Sequence, residues 1–383
     1  MKHYPYGGST ADRTLNCQHW RKLADKMPPA QVSKAATDGT VMHKLYEDCL
    51  NDGLKYPEDY IGKKVEGVVV TDDMADMVAD ALELTDSLID GLGLEYKTEI
   101  TVEYNDKIGG TADFVGWNKA DNVFVVGDLK TGSGHIVQAH DNSQLLFCAW
   151  LLAVRREMWL TKDTRIILFI VQPTGRRDDP LDVWETDVNT VLDFGRRFLE
   201  AVRIAEDTDA LPVAGKWCKF CQGMAVCPAK TGQVAAAMRL RADSKELANL
   251  NRAMGMVEDV EDWARAVRKL AHEQLEAGVP IDGWKLVEKR ATRKWSDEYA
   301  VETFFLDTPD VYTKVDKDEL YSKSFLSVAQ IEKLCKQKSI DFTLLEDYIV
   351  KQSSGTTIAH ADDKRESIPP MKAIAAMLGT LKN

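Results

Sequence analysis

Long apolar runs are missing from this sequence. No stretch of about 18 or more residues is apolar, as a membrane-spanning helix would require, and the first ten residues, MKHYPYGGST, show no secretory signal. Internal repeats and low-complexity segments are also missing. We therefore expect a cytoplasmic protein without a membrane span, and the 44% of hydrophobic residues can supply the core of a folded globular domain.

Cysteine and positive charge are scarce. Seven cysteines in 383 residues are too few and too unevenly spaced for a disulfide framework, so clustered thiols in a reducing compartment indicate metal ligands instead. The formal net charge of -12 argues against a protein that coats nucleic acid through a broad basic face. It does not exclude an enzyme that cuts phosphodiesters, because such enzymes concentrate carboxylates around metal ions.

Hydrophobic periodicity predicts an α/β unit in the first part of the chain. The predicted helices are 37–54, 72–91, 143–157 and 188–205, and the predicted strands are 96–104, 110–117, 123–129 and 164–172. Strand 123–129 is a continuous apolar run, which suits the interior of a sheet. This order predicts a small mixed central sheet flanked by helices.

A domain boundary is predicted after a cysteine-rich segment, near residues 230–233. We assign residues 1–231 to the first domain and 232–383 to a mainly helical C-terminal region of unknown role. In that region the pattern predicts helix through 275, a short basic strand at 283–295, and helices at 327–338 and 370–381.

Two acidic residues and a lysine form the main candidate site. Asp113 closes Gly-Thr-Ala-Asp on one strand, and the next strand ends in Gly-Asp-Leu-Lys-Thr-Gly with Asp128 and Lys130. Asp128 and Lys130 are two residues apart, so their side chains leave the strand on the same face. Carboxylates that hold Mg²⁺ or Mn²⁺ beside an ammonium suit metal-assisted phosphodiester hydrolysis. D-x-K alone is a weak signal, since any exposed strand end can carry it; the spacing to Asp113 strengthens it.

Two further segments support this interpretation. His43 and Glu47 are four residues apart on a predicted helix, so His43 could complete a metal site while Glu47 orients it or pairs with a basic residue. Gln144 begins the helix that follows D-x-K, where its amide could bind a phosphate or position the lysine. Each also has an ordinary explanation, as a surface histidine and as a polar position on an amphipathic helix.

Taken in order, these motifs resemble the RecB-like branch of the PD-(D/E)XK nucleases, which includes AddB-type helicase–nucleases and CRISPR adaptation exonucleases; the whole chain is similar to a phage-encoded family of RecB-like nucleases. The resemblance implies a restriction-endonuclease-like core and a Mg²⁺- or Mn²⁺-dependent DNA exonuclease that acts in phage recombination or replication in the host cytoplasm. It also implies DNA and a phage recombination (annealing) protein as partners, and it leaves an oligomer open. The roles it implies are metal ligands at His43, Asp113 and Asp128, the catalytic lysine at Lys130, the motif glutamine at Gln144, and a supporting acid at Glu99. Cys148 stands where the family has a tyrosine four residues after the glutamine, which puts the DNA-contact role of that position in doubt.

Three cysteines lie within ten residues, at Cys218, Cys221 and Cys227, and so indicate a metal centre. By the same resemblance Cys17 is the fourth ligand and the group is a structural 4Fe-4S cluster that ties the chain around the nuclease core. Four thiolates suit Zn²⁺ equally well, and a redox sensor is a third interpretation. The other cysteines, at 49, 148 and 335, have no matching partners and are interpreted as buried or incidental thiols.

Residues 283–295 form the most basic stretch, with tryptophans interleaved. Basic side chains can neutralise phosphates and indoles can stack on unpaired bases, so a DNA-contacting element is one interpretation. A strand with one packed and one solvated face is the other. For the whole chain, the alternative to an exonuclease is a non-catalytic DNA-binding or assembly protein on a nuclease-like scaffold.

Overall fold

The structure is a computed structural model. It describes residues 4–28, 33–132, 135–155, 160–174, 179–207, 209–239, 247–289, 291–308, 315, 320, 326–352, 356–360 and 363–368. The chain divides into two compact units, Met1–Ala264 and Arg265–Asn383.

Both units combine helices and strands. The first unit contains α1 (Ala11–Asn16), α2 (Trp20–Ala24), α3 (Lys34–Asn51), β1 (Lys64–Val65), β2 (Val68–Val69), α4 (Asp72–Leu92), β3 (Glu95–Glu103), β4 (Gly109–Asn118), β5 (Val123–Leu129), α5 (Ser143–Val154), β6 (Arg165–Val171), β7 (Leu181–Asp187), α6 (Val188–Asp207) and α7 (Pro228–Met238). Helix α8 (Leu247–Glu276) crosses the division between the units. The second unit contains β8 (Trp284–Glu288), β9 (Thr292–Trp295), α9 (Glu298–Asp307), α10 (Val328–Lys338), β10 (Ile349–Gln352) and β11 (Thr356–His360).

A five-stranded sheet in the order β3-β4-β5-β6-β7 forms the centre of the first unit. Strands β5 and β6 pair in parallel, whereas the other neighbours pair antiparallel. All seven residues of β5 are buried, because helices cover both of its faces. The predicted α/β class with a small mixed sheet between helices, as in restriction-endonuclease-like cores, is confirmed.

Two apolar cores lie on opposite faces of this sheet. On one face, side chains of α3 and α4 such as Leu45 and Val78 pack against alternate strand residues such as Val125. On the other face, α5 and α6 pack on the intervening residues; Phe147 and Phe198 belong to this core. Successive side chains of β5 point alternately into the two cores, which is the period of two expected of a strand. The same alternation determines which helices the polar side chains at the end of β5 face.

Side-chain caps fix where the helices of the site begin. The Asn142 carboxamide accepts hydrogen bonds from the backbone N–H groups of Gln144 and Leu145, at 2.9 and 3.1 Å, and so starts α5. Thr71 caps α4 in the same way, through the N–H of Met74 at 3.3 Å. Helix α4 ends at Gly93, whose φ of 58° lies in the left-handed region that glycine adopts without strain. The Asn142 cap places Gln144 in the first turn of α5.

The sequence missed several elements. Strand β7 pairs with β6 along its full length, from Val171↔Leu181 to Arg165↔Asp187, yet it was not predicted. It is an edge strand with a charged residue at every second or third position, so its apolar alternation is weak. The hairpin β1–β2, helix α9 and strands β10 and β11 were also missed.

The second unit has helices and two antiparallel strand pairs. Strand β8 pairs with β11 and β9 with β10, so the predicted basic strand at 283–295 is two strands with different partners. The predicted helix at 370–381 lies outside the described residues. The division between the compact units falls within α8 along the chain, whereas the sequence predicted a domain boundary at 231/232; that boundary stays a prediction.

Among the described residues, none of the helices combines the length and the apolar character needed to cross a bilayer.

Candidate active site

Three carboxylates lie in a row across the central sheet. Antiparallel pairing joins Thr98 to Phe114 and Ile100 to Ala112, which places Glu99 opposite Asp113. The register of β4 and β5 continues from Phe114↔Gly127 to Asp113 and Asp128. Glu99, Asp113 and Asp128 therefore stand at the same level of β3, β4 and β5, and residues opposite each other on adjacent strands are close neighbours.

Glu99 has a backbone conformation that a glutamate rarely adopts. Its φ is 49°, in the left-handed region, whereas the rest of β3 pairs as an ordinary strand. For a residue with a Cβ this conformation costs on the order of 1 kcal/mol or more and persists only where the surroundings impose it. Such local strain is concentrated at functional sites.

His43 reaches this row from α3. Its Nδ1 lies 3.3 Å from Oδ2 of Asp113, and the same carboxylate oxygen accepts the backbone N–H of Leu129 at 3.0 Å. His43, Glu99 and Asp113 each offer a ligand atom, and these atoms lie within 4.8 Å of one another; among the described residues no other three such groups do so. Helix α3 can come this close because Gly39 has no side chain: a Cβ there would lie 3.2 Å from Oγ1 of Thr131.

Asp128, Lys130 and Gln144 form a closed triangle beside that group. The Lys130 ammonium lies 2.5 Å from Oδ2 of Asp128 and donates to Oε1 of Gln144 at 3.0 Å. The Gln144 amide donates to Oδ1 of Asp128 at 2.5 Å. The predicted shared face of Asp128 and Lys130 is thus the face covered by α5. Gly127 permits the packing beneath them, because a Cβ there would lie 2.1 Å from the Phe169 ring.

Burial changes the acid–base behaviour of two carboxyls in the row. Burial raises the pKa of Asp128 to about 6, and the charge of Asp113 adds to this rise while Lys130 opposes it. Burial also raises the pKa of Glu99 to about 7, again with a contribution from Asp113. Crowded buried carboxylates retain protons until a positive charge replaces them.

The other groups carry charge in spite of burial. Burial by itself would raise the pKa of Asp113, but the hydrogen bond and charge of His43 and the N–H of Leu129 outweigh it, so the pKa is lowered. Burial would lower the pKa of His43, and the carboxylates around it raise it instead. Burial would also lower the pKa of Lys130, but the charge and the hydrogen bond of Asp128 outweigh burial and raise it. The centre therefore combines three groups whose charged forms are favoured, Asp113, His43 and Lys130, with two carboxyls, Asp128 and Glu99, whose protonated forms are favoured.

The donor set matches what a hard divalent cation requires. Oxygen and imidazole ligands converge at His43, Glu99 and Asp113. Oδ2 of Asp128 is buried and lies 2.5 Å from the Lys130 ammonium. A buried carboxylate is costly unless a cation lies beside it, and Lys130 is that cation here.

Two residues singled out from the sequence have other surroundings. Glu47 lies 2.8 Å from the ammonium of Lys44, so it pairs with a basic residue, which was one of its two expected roles. Cys148, in the position of the family tyrosine, is buried, and its Sγ lies 3.8 Å from the carbonyl oxygen of Thr111. Burial raises the pKa of this thiol, so it is an uncharged group inside the core.

All four predicted cysteine ligands line one cavity. Its lining residues are Arg13, Cys17, Trp20, Leu23, Val213, Trp217, Cys218, Cys221, Met224 and Cys227. Residues some 200 positions apart in the chain thus meet here, as expected for a group that joins the two ends of the sheet domain.

The surroundings of these sulfurs suit thiolate ligands. Backbone N–H groups of Val213 and Gly215 donate to Sγ of Cys17 and Cys218, each at 3.4 Å. Burial raises the pKa of Cys218 and Cys221, so their thiols stay protonated unless a metal replaces the proton. Among the described residues no three of the four sulfurs lie within 4.8 Å of one another.

The basic stretch of the second unit has partners of its own. Lys285 donates to the carbonyl oxygen of Asp363 at 2.8 Å, and Arg293 pairs with Glu332. Leu286 and Val287 are buried, whereas Trp284 is half exposed. Adjacent strand residues point to opposite faces, so the burial of both Leu286 and Val287 does not follow the alternation of one packed and one solvated face. Both interpretations of this stretch stay predictions.

One supporting side chain was missed by sequence reasoning. Gln172 follows β6 and is buried, and it accepts the N–H of Val137 and donates to the carbonyls of Gly132 and His135. These three residues lie between Lys130 and Gln144 in the chain. A single polar residue at the end of an apolar strand was the only signal in the sequence.

Comparison with known proteins gives a family and two likenesses. A search of curated proteins found no match. A solved structure titled SSO0001 aligns with 17% identity and a TM-score of 0.23, covering 57% of this chain and 96% of its own. A phage related exonuclease from Haemophilus somnus 129PT aligns with 12% identity and a TM-score of 0.24, covering 53% of this chain and 94% of its own. At such TM-scores neither likeness carries a conclusion about this chain. Residues 3–366 match the model of the family described as "Protein of unknown function (DUF2800)", and the chain belongs to that family.

Proposed function

We propose that this protein is a Mg²⁺- or Mn²⁺-dependent DNA exonuclease of the PD-(D/E)XK, RecB-like type. The observation that carries the proposal is the meeting of His43, Asp113, Asp128, Lys130 and Gln144, from four separate elements, at the end of one sheet. A scaffold without catalysis has no need to bury a lysine among carboxylates, since unpaired buried charges destabilise a fold.

The residues present fit a divalent cation. His43, Glu99 and Asp113 would hold it. Asp128, also implied as a ligand by the resemblance, is not in this group of three and is paired with Lys130. When bound, Mg²⁺ or Mn²⁺ would lower the pKa of a water and offset charge on the phosphorus. Glu99, which the resemblance indicated only weakly, belongs to this set by its position opposite Asp113.

The side chains of the triangle would carry out the remaining tasks. The Lys130 ammonium, fixed between Asp128 and Gln144, would orient the attacking water or bind a phosphate oxygen and stabilise the negative charge that develops there. The Gln144 side chain bridges Lys130 and Asp128, so it would hold these two side chains in fixed positions while negative charge develops on the phosphate. Leu129 supplies a backbone N–H that keeps Asp113 ionised.

Exonuclease action, a role in phage recombination or replication, and an annealing protein as partner are proposed from the ordered motifs, which resemble the RecB-like family. The same resemblance leads us to propose a cytoplasmic location and leaves an oligomer as an alternative to a monomer. DNA is the proposed substrate.

We further propose that Cys17, Cys218, Cys221 and Cys227 bind a 4Fe-4S cluster. Tetrahedral zinc, with bonds of about 2.3 Å, would bring its sulfurs to within about 4 Å of one another. The four thiols line one cavity, but among the described residues no three of their sulfurs lie within 4.8 Å of one another, which favours a larger group. The Arg13 guanidinium interacts with Cys221 and would offset thiolate charge. Binding there would stabilise the fold by joining distant segments.

Digestion of end-labelled linear and circular DNA, with Mg²⁺ or Mn²⁺, tests the activity. We expect linear DNA to be degraded from its ends and circular DNA to survive, and Asp128→Ala and Lys130→Ala to be inactive. Equal degradation by the wild type and both variants would show that the site is assigned wrongly. DNA binding without cleavage by the wild type in either cation would support the alternative of a non-catalytic assembly protein.

A further inference from the structure

We propose that Gln172 is a positioning residue of the candidate site, which fixes the connection between the catalytic lysine and the catalytic glutamine. The inference rests on the proposed function and deepens it. The connection runs from Lys130, at the end of β5, to Asn142, which caps α5.

Gln172 holds this connection with one buried side chain. It is 1% exposed, and its carboxamide accepts the N–H of Val137 at 3.0 Å and donates to the carbonyl oxygens of Gly132 and His135, each at 2.8 Å. The carboxamide thus uses one acceptor and both donors. Burying a fully satisfied amide fixes the groups it bonds, because each lost bond would leave a buried polar atom without a partner.

The position of Gln172 on the sheet explains why it can act on the site. Strands β5 and β6 are parallel, and their last pair is Leu129 and Val171. Gln172 is the residue that follows Val171, just as Lys130 follows Leu129. The N–H of Lys130 donates to the carbonyl of Val171 at 2.9 Å. The end of β6 therefore holds Lys130 through the backbone carbonyl of Val171, and it holds the connection after Lys130 through the side chain of Gln172.

The geometry of the triangle depends on both ends of the connection. Lys130 and Gln144 must meet at 3.0 Å, and Gln144 must reach Asp128 at the same time. If the connection moved, α5 and its cap could shift relative to β5. A displacement on the order of 1 Å at a catalytic group can lower a rate by about 100-fold.

The tests use Gln172→Met and Gln172→Glu in the full-length protein. Methionine keeps the length and volume but has no amide. Glutamate keeps an oxygen that can accept the N–H of Val137. Its other carboxylate oxygen cannot donate, so it would lie unpaired beside the carbonyl oxygens of Gly132 and His135. Gln138→Met is the matched control: Gln138 lies in the same connection, its side chain is exposed, and the described residues show no hydrogen bond from it. We expect kcat for DNA digestion to fall by roughly 10- to 100-fold in both Gln172 variants while KM changes less than about threefold, and the control to behave as wild type.

Hydrogen exchange gives a readout that does not depend on nuclease activity. In the wild type we expect the Val137 amide to exchange slowly, whereas the amides of Ile136 and Gln138, which have no hydrogen-bond partner among the described residues, exchange fast. In both Gln172 variants exchange of residues 131, 132 and 135–142 should accelerate, with β6 unchanged. Fast exchange of Val137 in the wild type would overturn the proposal even if the variants failed to fold. So would variants with wild-type kcat well below their melting temperature. A wild type that protects Val137 but leaves DNA intact would instead refute the proposed function.

Discussion

At the scale of single residues, the candidate site depends on Asp128 more than on any other group. One oxygen of its carboxylate accepts from the Gln144 amide, and the other lies 2.5 Å from the Lys130 ammonium. A neutral amide of the same shape would leave the packing unchanged but would remove the charge that attracts a cation and pairs with the lysine.

We therefore expect Asp128→Asn to lower kcat/KM for DNA by roughly 100- to 1000-fold with little loss of secondary structure. Initial rates on linear DNA in Mg²⁺ and Mn²⁺ would measure this. Asp106→Asn, at an exposed position, is the control and should retain full activity. An Asp128→Asn protein with more than a third of wild-type activity would contradict the assigned role.

A second prediction concerns pH. The folded-state pKa values of Asp128 (about 6) and Glu99 (about 7) are raised, so without metal the folded protein binds protons that the unfolded chain has lost, and stability falls as pH rises from about 4 to 7. The raised pKa of His43 acts in the same direction, because its stabilising charge is lost as pH rises. Asp113, with a lowered pKa, acts only below this window.

Because a cation replaces these protons, the rise in melting temperature caused by millimolar Mn²⁺ should be small at pH 5 and largest near pH 8. Thermal unfolding with and without Mn²⁺ across this range would measure it. Glu99→Gln should reduce the pH dependence. A stabilisation by Mn²⁺ that does not change with pH would argue against these carboxyls as ligands.

Site residues could be predicted from the sequence where they lie on a strand or a helix with a clear hydrophobic period. Asp128 and Lys130 follow from the alternation of β5, and His43 from the helical spacing of α3. Gln172 could not be predicted, because its three partners come from a connection whose path depends on the folded sheet. The resemblance supplied the order of motifs, but only the register of β3 and β4 places Glu99 opposite Asp113.

At the scale of elements, β3 is distorted at the point where it meets the site. Glu99 combines a φ of 49° with a raised pKa, so both its backbone and its carboxyl oppose folding in the absence of metal. Glycine adopts this φ freely, whereas glutamate does not.

We expect Glu99→Gly to stabilise the metal-free protein by about 1 kcal/mol, although it removes a ligand and lowers activity. Urea unfolding would measure the stability. Glu99→Gln removes the charge but keeps the backbone conformation, so the difference between the two variants isolates the strain. Lys97→Gly, at an exposed position of ordinary conformation in β3, should instead destabilise by about 0.5–1 kcal/mol. Equal stability of Glu99→Gly and Glu99→Gln would show that the backbone is not strained.

The elements of the central sheet were predicted where burial is strong and missed where it is weak. The bounds of β5 agree with the prediction because all its residues are apolar or small up to Asp128. Strand β7 forms the edge, where three of its seven residues are exposed and two of those carry charge, so the pairing with β6 and not the local composition determines it.

At the scale of the whole molecule, the four cysteines of the cavity join residue 17 to residues 218–227, on either side of the sheet in sequence. A group bound to all four would close a loop of about 200 residues, which restricts the unfolded chain far more than a local turn does.

We expect Cys17→Ala to lose bound iron and to lower the melting temperature by roughly 10 °C, because metal binding contributes to folding. Anaerobic purification with iron, sulfide and zinc analysis would measure this; a brown wild-type protein supports iron–sulfur and a colourless zinc protein does not. Cys49→Ala, another buried cysteine that does not line the cavity, is the control. Full metal content in Cys17→Ala would exclude this residue as a ligand.

The parallel pairing of β5 with β6 has a consequence for how such a centre can vary. Parallel neighbours require a crossover, and α5 lies in the crossover that leaves the sheet at Lys130. Lys130 begins this crossover and Gln144 lies in its helix, so both residues belong to one continuous segment of the chain. His43 lies on α3, in a separate segment of the chain. A graft of β5 through β6 onto another sheet would therefore carry Lys130 and Gln144, but the histidine would have to be supplied by the new host.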